Sequence, residues 1–303
     1  MNDAPSFATR LSQHIQATGS TICVGLDPRP NRLPQPIADS VKAGQPDSIA
    51  AAYEKFCIEI IDVAVGRVAC VKPQAAFFEQ LGPQGMIALG NIISHARKRD
   101  LLVILDGKRN DIGSTASAYA AAYLGSSSAW GADSLTVSPY LGRDSLDPFV
   151  DASIESNAGI FVLVKTSNPG GGYLQDQQVQ GGETVYQRVA DLIEELNGPH
   201  VDSFGYGPVG AVVGATYPEH IAELRARMPS SYLLIPGFGA QGGDARALSY
   251  ASDSKGLGYV VNSSRHIIFA HARDGYRDKY GDARWTEAVS AAIDEMQAAL
   301  DAV

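Results

Sequence analysis

Short apolar runs and longer stretches of helical character alternate along this chain of 303 residues. The apolar runs predict eight strands, at 22–27, 69–78, from 101 onward, 133–140, 159–167, 209–216, 232–236 and 258–262. Helices are predicted between and after them, over 51–65, 83–98, from 114 onward, 147–157, 183–196, 218–228, 244–251 and 285–300. This alternation indicates a parallel sheet with its helices outside it.

No change in composition marks a linker, so the pattern predicts one domain over 1–303, a single (β/α)8 barrel, or TIM barrel. An open doubly wound sheet is the other fold with this alternation. It would place a Gly-x-Gly-x-x-Gly loop after the first strand, where this chain has Gly25-Leu26-Asp27-Pro28. The barrel is therefore the preferred interpretation.

Two segments stand outside the repeating pattern. Phe7, Leu11 and Ile15 recur every four residues, which predicts a short amphipathic helix covering one end of the core. Prolines recur through an insertion at about 28–50, and we expect no regular structure there until about residue 48.

The segment 101–115 has an unusual end. Five apolar residues are followed by Asp106, Lys108 and Asp111, and then by a hydroxyl-rich, alanine-rich helix start. Side chains alternate along a strand, so Ile104, Asp106 and Lys108 share one face. The structural alternative is an exposed ion pair with Asp111 capping the helix. Because an exposed pair stabilises a protein by only ~0–1 kcal/mol, stability explains these charges poorly.

The ends of the predicted strands carry further charge. In a barrel these ends converge, so Asp27 and Lys72 should share one mouth with Asp106, Lys108 and Asp111. A Lys/Asp array of this kind suits acid–base or carbanion chemistry. Alternating the signs relieves repulsion, which is about 4 kcal/mol for two like charges ~4 Å apart at an effective dielectric of 20.

Two features after the last strands predict a phosphate site. The glycine-rich loop 237–243 offers backbone N–H groups, and Arg265 follows the eighth strand. Barrels commonly hold phosphate at these positions, and a guanidinium can bind it through two hydrogen bonds. The alternative is a tight turn and an unrelated surface arginine. The agreement of two features favours a small substrate that carries a phosphate.

Composition narrows the classes of partner. Acidic residues outnumber basic ones by 33 to 24, and no basic block occurs, so we expect no nucleic-acid partner. No apolar run is long enough to cross a membrane and no secretion signal is evident, so we expect a soluble, cytoplasmic protein. The scattered Cys and His residues predict neither disulfides nor a metal site.

Several motifs resemble those of one enzyme family. The segment from Asp106 to Asp111 matches the Asp-x-Lys-x-x-Asp signature of the orotidine 5′-phosphate decarboxylases. Four further motifs resemble the longer-chain bacterial branch: Val71-Lys72-Pro73-Gln74, Thr166-Ser167-Asn168-Pro169, Pro236-Gly-Phe-Gly-Ala-Gln241-Gly-Gly and Asn262-Ser-Ser-Arg265. The resemblance implies cofactor-free conversion of orotidine 5′-phosphate to uridine 5′-phosphate, the last step of de novo pyrimidine synthesis.

The resemblance also implies roles for the charged residues. Lys108 would protonate the C6 carbanion left by carbon dioxide and stabilise its charge, and Asp106 would lie against the substrate carboxylate. Asp106 could act by repulsion or by positioning Lys108, and the sequence leaves this open. Lys72 and Asp27 would bind ribose hydroxyls.

The remaining implied roles concern the substrate's ends and a second subunit. Ser167 would bind the pyrimidine, Gln241 and Arg265 would hold the phosphate, and Pro236 would also contact the substrate. Asp111 and Thr115 would complete the site of a neighbouring subunit, which implies a homodimer. Loops 170–182 and 237–243 are candidate lids.

Three other functions remain open at this point. Val164-Lys165-Thr166-Ser167 is similar to the strand with the reactive lysine of deoxyribose-phosphate aldolases, and alternation would turn Lys165 to the same side as Ser167. A magnesium-dependent sugar-phosphate decarboxylase of the same superfamily would use the paired acids as metal ligands. A non-catalytic nucleotide-binding subunit would need only the phosphate site.

Overall fold

Eight parallel strands close into a barrel in the computed structural model, which describes residues 4–214, 218–237 and 245–302. Each strand pairs with its neighbours in sequence order, and the last pairs with the first. The strands are β1 Ile22–Leu26, β2 Cys70–Pro73, β3 Leu102–Arg109, β4 Ser134–Val137, β5 Gly159–Lys165, β6 Val209–Val213, β7 Leu233–Pro236 and β8 Tyr259–Ser263. The single (β/α)8 barrel is confirmed, and the open sheet is wrong.

Helices connect the strands around the outside. The longer ones are α1 Phe7–Thr18, α3 Pro46–Ala64, α5 Gly82–Lys98, α6 Gly113–Tyr123, α7 Arg143–Ser156, α9 Val185–Asn197, α10 Pro218–Arg227 and α13 Trp285–Asp301. Single helical turns form α2 Gln35–Ala38, α4 Ala76–Glu79, α8 Gly172–Gln175, α11 Arg265–Ile268 and α12 Tyr276–Lys279. Segment Ala245–Tyr250 is a 3-10 helix, and none of the helices within the described ranges is long and apolar enough to cross a membrane.

Alternation along the strands divides the core into two layers. Leu102 and Ile104 pack inside the barrel, whereas Val103 and Leu105 pack in the layer between the barrel and its helices. The predicted amphipathic helix is confirmed as α1, which contributes Phe7 and neighbouring apolar residues to the interior cluster. This helix fills the amino-terminal end of the barrel, so the carboxyl end is left for the site.

Two sequence expectations about secondary structure are wrong. The second apolar run, 69–78, forms a strand only at Cys70–Pro73 and then turns into α4. Regular structure also begins inside the proline-rich insertion, with the 3-10 turn Pro30–Arg32, α2, and the start of α3 at Pro46. Proline is well suited to the first turn of a helix, where no N–H is required, so these prolines begin helices.

The insertion folds back onto the barrel rim. The Arg29 guanidinium carbon lies 3.3 Å from the centre of the Phe77 ring, and that of Arg32 lies 4.9 Å from the Phe269 ring. Cation–π contacts of this kind stabilise by about 0.5–2 kcal/mol, depending on desolvation. The insertion therefore borders the carboxyl end of β1.

Two strands lose their regular register where they reach the carboxyl end. The pairing of β3 with β4 shifts between Leu105 and Arg109, and that of β5 with β6 shifts between Leu163 and Lys165. A bulge re-aims the side chains that follow it. Each bulge immediately precedes or contains a charged residue singled out in the sequence, Lys108 in β3 and Lys165 in β5.

Candidate active site

The Asp106 carboxylate accepts four side-chain hydrogen bonds at the carboxyl end of the barrel. Oδ2 accepts from Lys72 Nζ at 2.9 Å and from Gln74 Nε2 at 3.0 Å. Oδ1 accepts from Lys108 Nζ at 2.5 Å and from Thr136 Oγ1 at 2.9 Å. Asp106 is only 7% exposed, so its charge is satisfied by the protein and not by bulk water.

The two lysines keep this carboxylate ionised. Burial by itself would raise the pKa of Asp106, but the charges and hydrogen bonds of Lys72 and Lys108 outweigh it and hold that pKa well below its usual value. Burial would likewise lower the pKa of Lys72, yet the negative charges of Asp106 and Asp27 hold it above its usual value. A fixed array of charges therefore persists at neutral pH.

The bulge in β3 places Lys108 beside Asp106. Lys108 has a φ of +46°, a left-handed conformation that lysine rarely adopts. Its backbone N–H donates to Thr136 Oγ1 at 2.9 Å, and the same hydroxyl donates to Asp106. Thr136 thus supports both the unusual backbone and the carboxylate that the ammonium contacts.

A cavity of about 240 Å³ opens above this array. Its polar lining comes from the charged array at the ends of β2, β3 and β4 and from the segment after β5, and its apolar lining comes from β5, β6 and β7. The lining residues are Lys72, Asp106, Lys108, Thr136, Leu163, Thr166, Ser167, Asn168, Val212, Leu234 and Pro236. The cavity combines a proton donor, fixed charge and neutral hydrogen-bonding groups, as a polar small-molecule site requires.

Five of the residues singled out in the sequence therefore meet around one cavity: Lys72, Asp106, Lys108, Ser167 and Pro236. Asp27 is half-buried at the end of β1, and its Oδ1 is buried without a hydrogen-bond partner in the described part of the chain. Its charge nevertheless acts on Lys72. Asp27 thus belongs to the same electrostatic array, with one oxygen still available.

Other predicted site residues lie at the rim or beyond it. Arg265 is exposed at the start of α11, directly after β8. Thr115 is exposed on α6, and Asp111, whose Oδ1 accepts from the backbone N–H of Ile112 at 2.8 Å, precedes that helix; neither lines the cavity. Gln241 and most of loop 237–243 lie outside the described residues.

Lys165 faces away from the cavity. Its ammonium forms an ion pair with Asp176 and lies 5.2 Å from the centre of the Tyr186 ring, on the helix side of the barrel wall. Leu163, two residues earlier, does line the cavity, so the bulge between them cancels the expected alternation. The expectation that Lys165 shares a face with Leu163 and Ser167 is wrong.

Two polar residues of the array were missed in the sequence. Gln74 follows β2 and Thr136 lies in the short strand β4, and neither carries a charge that would attract notice. A signal was present for Thr136, since Ser134 and Thr136 are polar residues at alternate positions of an otherwise apolar strand. Gln74 would have required knowing that its side chain turns back toward Asp106.

The donors around Asp106 are unsuited to a divalent cation. Both of its oxygens already accept hydrogen bonds from ammonium groups, whose charge repels a cation. Within residues 4–214, 218–237 and 245–302, no group of three or more His, Cys, Asp and Glu side chains is arranged to hold a metal ion.

The match to a family model decides the relationship. Residues 20–274 match the model of the orotidine 5′-phosphate decarboxylase / HUMPS family. The chain belongs to this family. A protein named orotidine 5′-phosphate decarboxylase from Rhodopirellula baltica is 62% identical over 295 residues, covering 96% of this chain and 97% of the relative.

More distant members agree in sequence and structure. A protein with the same name from Deinococcus radiodurans is 41% identical over 297 residues, covering 98% of each chain. The solved structure of the orotidine 5′-phosphate decarboxylase of Leishmania donovani superimposes with a TM-score of 0.74 at 34% identity, covering 98% of this chain and all of that one. The family resemblance inferred from the motifs is confirmed.

Proposed function

We propose that this protein decarboxylates orotidine 5′-phosphate to uridine 5′-phosphate in pyrimidine biosynthesis. The observation that carries the proposal is the Asp106 carboxylate, bound by Lys72 and Lys108 at the base of a cavity, in a chain 62% identical to a protein of that name. The family model also includes HUMPS members, so the close relatives and the charge array together select the decarboxylase activity.

The proposed reaction needs no cofactor. The bond between C6 and the carboxyl carbon breaks, carbon dioxide leaves, and the electron pair stays on C6. Lys108 Nζ then transfers one proton to C6, and solvent reprotonates the lysine. Until that transfer, the ammonium charge stabilises the developing carbanion, which is the electrostatic contribution that a preorganised site supplies best.

Asp106 serves this reaction chiefly by holding the ammonium of Lys108. The contact between Lys108 Nζ and Asp106 Oδ1 leaves the lysine side chain 47% exposed toward the cavity, whereas the Asp106 side chain is 9% exposed. Lys72 occupies the other oxygen, so the carboxylate cannot turn away from Lys108. Positioning is therefore the role of Asp106 that the contacts support.

The substrate's other groups are assigned to residues around the cavity. Ser167 binds the pyrimidine, and Lys72 and Asp27 bind ribose hydroxyls. The buried Oδ1 of Asp27 has no hydrogen-bond partner among the described residues, which supports its role, because a hydroxyl would satisfy it. Pro236 contacts the substrate from the cavity wall, Gln241 and Arg265 bind its phosphate, and binding energy from this remote group serves to organise the site.

We also propose that the enzyme acts as a homodimer with Asp111 and Thr115 completing the neighbouring site. Both residues lie outside the cavity of their own subunit. Exposed apolar side chains occur at the same end of the barrel: Ile112, next to Asp111, is 56% exposed, and Tyr140 and Leu141, which follow β4, are 73% and 46% exposed. A second copy would cover this surface.

The three cysteines support a cytoplasmic location. Cys23, Cys57 and Cys70 are all buried and free. Free thiols are typical of proteins in reducing compartments. The proposed substrate is a nucleotide monophosphate, and its biosynthetic use is consistent with that location.

Conversion of purified substrate in excess chelator tests the function. We expect stoichiometric formation of uridine 5′-phosphate, unchanged by added Mg²⁺. Loss of activity in chelator and its return with Mg²⁺ would indicate the metal-dependent alternative. Binding of uridine 5′-phosphate without turnover would indicate a non-catalytic subunit. Borohydride trapping of an aldehyde substrate on Lys165, without decarboxylation, would indicate an aldolase.

A further inference from the structure

Gln175 holds the residue that precedes Ser167. The Gln175 Oε1 accepts from the backbone N–H of Thr166 at 3.0 Å, and its Nε2 donates to Thr166 Oγ1 at 2.8 Å. Thr166 Oγ1 in turn donates to Asn168 Oδ1 at 2.6 Å. This chain of hydrogen bonds fixes the amide orientation of Gln175 and ties α8 to both residues that flank Ser167.

A second contact, beside the first, also ties α8 to the end of β5. Asp176 follows Gln175 and forms the ion pair with Lys165, the residue before Thr166. The Lys165 side chain is only 9% exposed, and the ion pair with Asp176 compensates its buried charge. Lys165 at the end of β5 and Thr166 after it are therefore held by Gln175 at the end of α8 and by Asp176 after it.

Gly214, which follows β6, also contacts this segment. Its N–H donates to the carbonyl of Lys165 at 2.7 Å. A Cβ added to Gly214 would lie 2.9 Å from the Ser167 backbone nitrogen and 3.0 Å from the Ser167 Cβ. Gly214 thus packs closely against Ser167, while Gln175 holds the preceding residue, Thr166.

We propose that Gln175 is a positioning residue for pyrimidine recognition, which it serves by fixing Thr166 and thereby Ser167 at the cavity wall. This inference rests on the proposed function, in which Ser167 binds the pyrimidine. Under this proposal, part of loop 170–182 keeps one conformation as a fixed part of the site. The turn Gly172–Gln175 is then a support for specificity, and any closing motion belongs to the residues after it.

Inhibition by two ligands separates this role from a general structural one. Uridine 5′-phosphate carries the pyrimidine, whereas ribose 5-phosphate carries only the sugar and phosphate. In Gln175→Ala we expect the inhibition constant of uridine 5′-phosphate to rise about three- to tenfold, as for lost hydrogen bonds, with that of ribose 5-phosphate unchanged. Gln175→Glu keeps an acceptor for the Thr166 N–H and should restore most of the affinity.

Gln13→Ala is the matched control. Gln13 is exposed on α1, at the opposite end of the barrel from the cavity, so both inhibition constants should stay at the parent values. Equal weakening of both ligands in Gln175→Ala, or equal behaviour of the Gln175 and Gln13 variants, would overturn the positioning role. A parent protein that neither binds uridine 5′-phosphate nor decarboxylates the substrate would instead overturn the proposed function, and the positioning role with it.

Discussion

Lys108 contacts Asp106 from a left-handed backbone conformation, with 2.5 Å between Nζ and Oδ1. A non-glycine residue held in this region costs about 1–3 kcal/mol, so the surrounding contacts must compensate for it. Thr136 does so by accepting the Lys108 N–H, and the ion pair adds to it. The strain is local to the proposed proton donor, where it fixes the direction of the ammonium.

Thr136→Val tests whether this support matters for catalysis. The variant keeps the volume but removes the acceptor of the Lys108 N–H and one donor to Asp106. We expect kcat to fall about tenfold and the free energy of unfolding to fall by about 1–3 kcal/mol. Steady-state kinetics and urea unfolding measure both. Thr21→Val, a buried threonine outside the cavity lining, is the control; an equal loss of kcat there would contradict the assignment.

Asp106→Asn should destabilise the protein in a pH-dependent way. At pH 7 it leaves Lys72 without its buried partner, and we expect a loss of about 3–5 kcal/mol in the free energy of unfolding. The pKa of Asp106 is lower in the folded than in the unfolded protein. Its contribution to the free energy of unfolding is therefore complete above about pH 4 and declines as the pH falls further.

Lys72 sets the high-pH limit of the stability that the ion pair contributes. Its folded pKa lies above the unfolded value, so its contribution is complete below about pH 10 and is lost at higher pH. Urea unfolding of parent and variant should therefore give a constant difference from about pH 5 to 9 and a shrinking one below about pH 4. A difference that grows on acidification would contradict the charge array.

Lys165→Met distinguishes the decarboxylase from an aldolase. The variant keeps the aliphatic stem and leaves Asp176 half-exposed to water, so we expect little loss of stability outside loop 170–182. We expect kcat/KM for orotidine 5′-phosphate to stay within about tenfold of the parent value, because the lysine does not line the cavity. A fall in kcat/KM of more than about a hundredfold in a folded variant would indicate that Lys165 takes part in the reaction.

Mixing two inactive variants tests the shared sites. A dimer of Lys108→Ala with Asp111→Ala has one doubly altered site and one intact site if Asp111 acts on the neighbour. Random exchange makes half of the dimers mixed, so activity should recover to roughly a quarter of the parent value. Mixing Lys108→Ala with Asp106→Asn should recover none, since both act in their own subunit. Equal outcomes in the two mixtures would contradict the shared site.

Much of the fold and the central charges could be predicted because they follow from local rules. Alternation in β3 separates Ile104 and Asp106 from Val103 and Leu105, and the structure places them in the interior and outer layers accordingly. Convergence of strand ends brought Lys72 to Asp106 across 34 residues of sequence. These predictions needed only the period of a strand and the closure of the sheet.

What the sequence did not predict depends on irregular backbone. One bulge turns Lys165 out of the cavity, and another places Lys108 in a left-handed conformation. Gln74 and Gln175 act through side chains that fold back to residues distant or irregularly spaced in the chain. Such contacts follow from tertiary packing, so neither the hydrophobic periodicity nor the charge pattern of the sequence predicts them.

The kinetics of Lys108→Ala test whether Lys108 delivers the proton to C6. With orotidine 5′-phosphate in excess chelator, we expect kcat to fall at least about a thousandfold, while the inhibition constant of uridine 5′-phosphate changes far less. Lys98→Ala, at an exposed lysine far from the cavity lining, should match the parent. Turnover by folded Lys108→Ala at the parent rate would contradict the account.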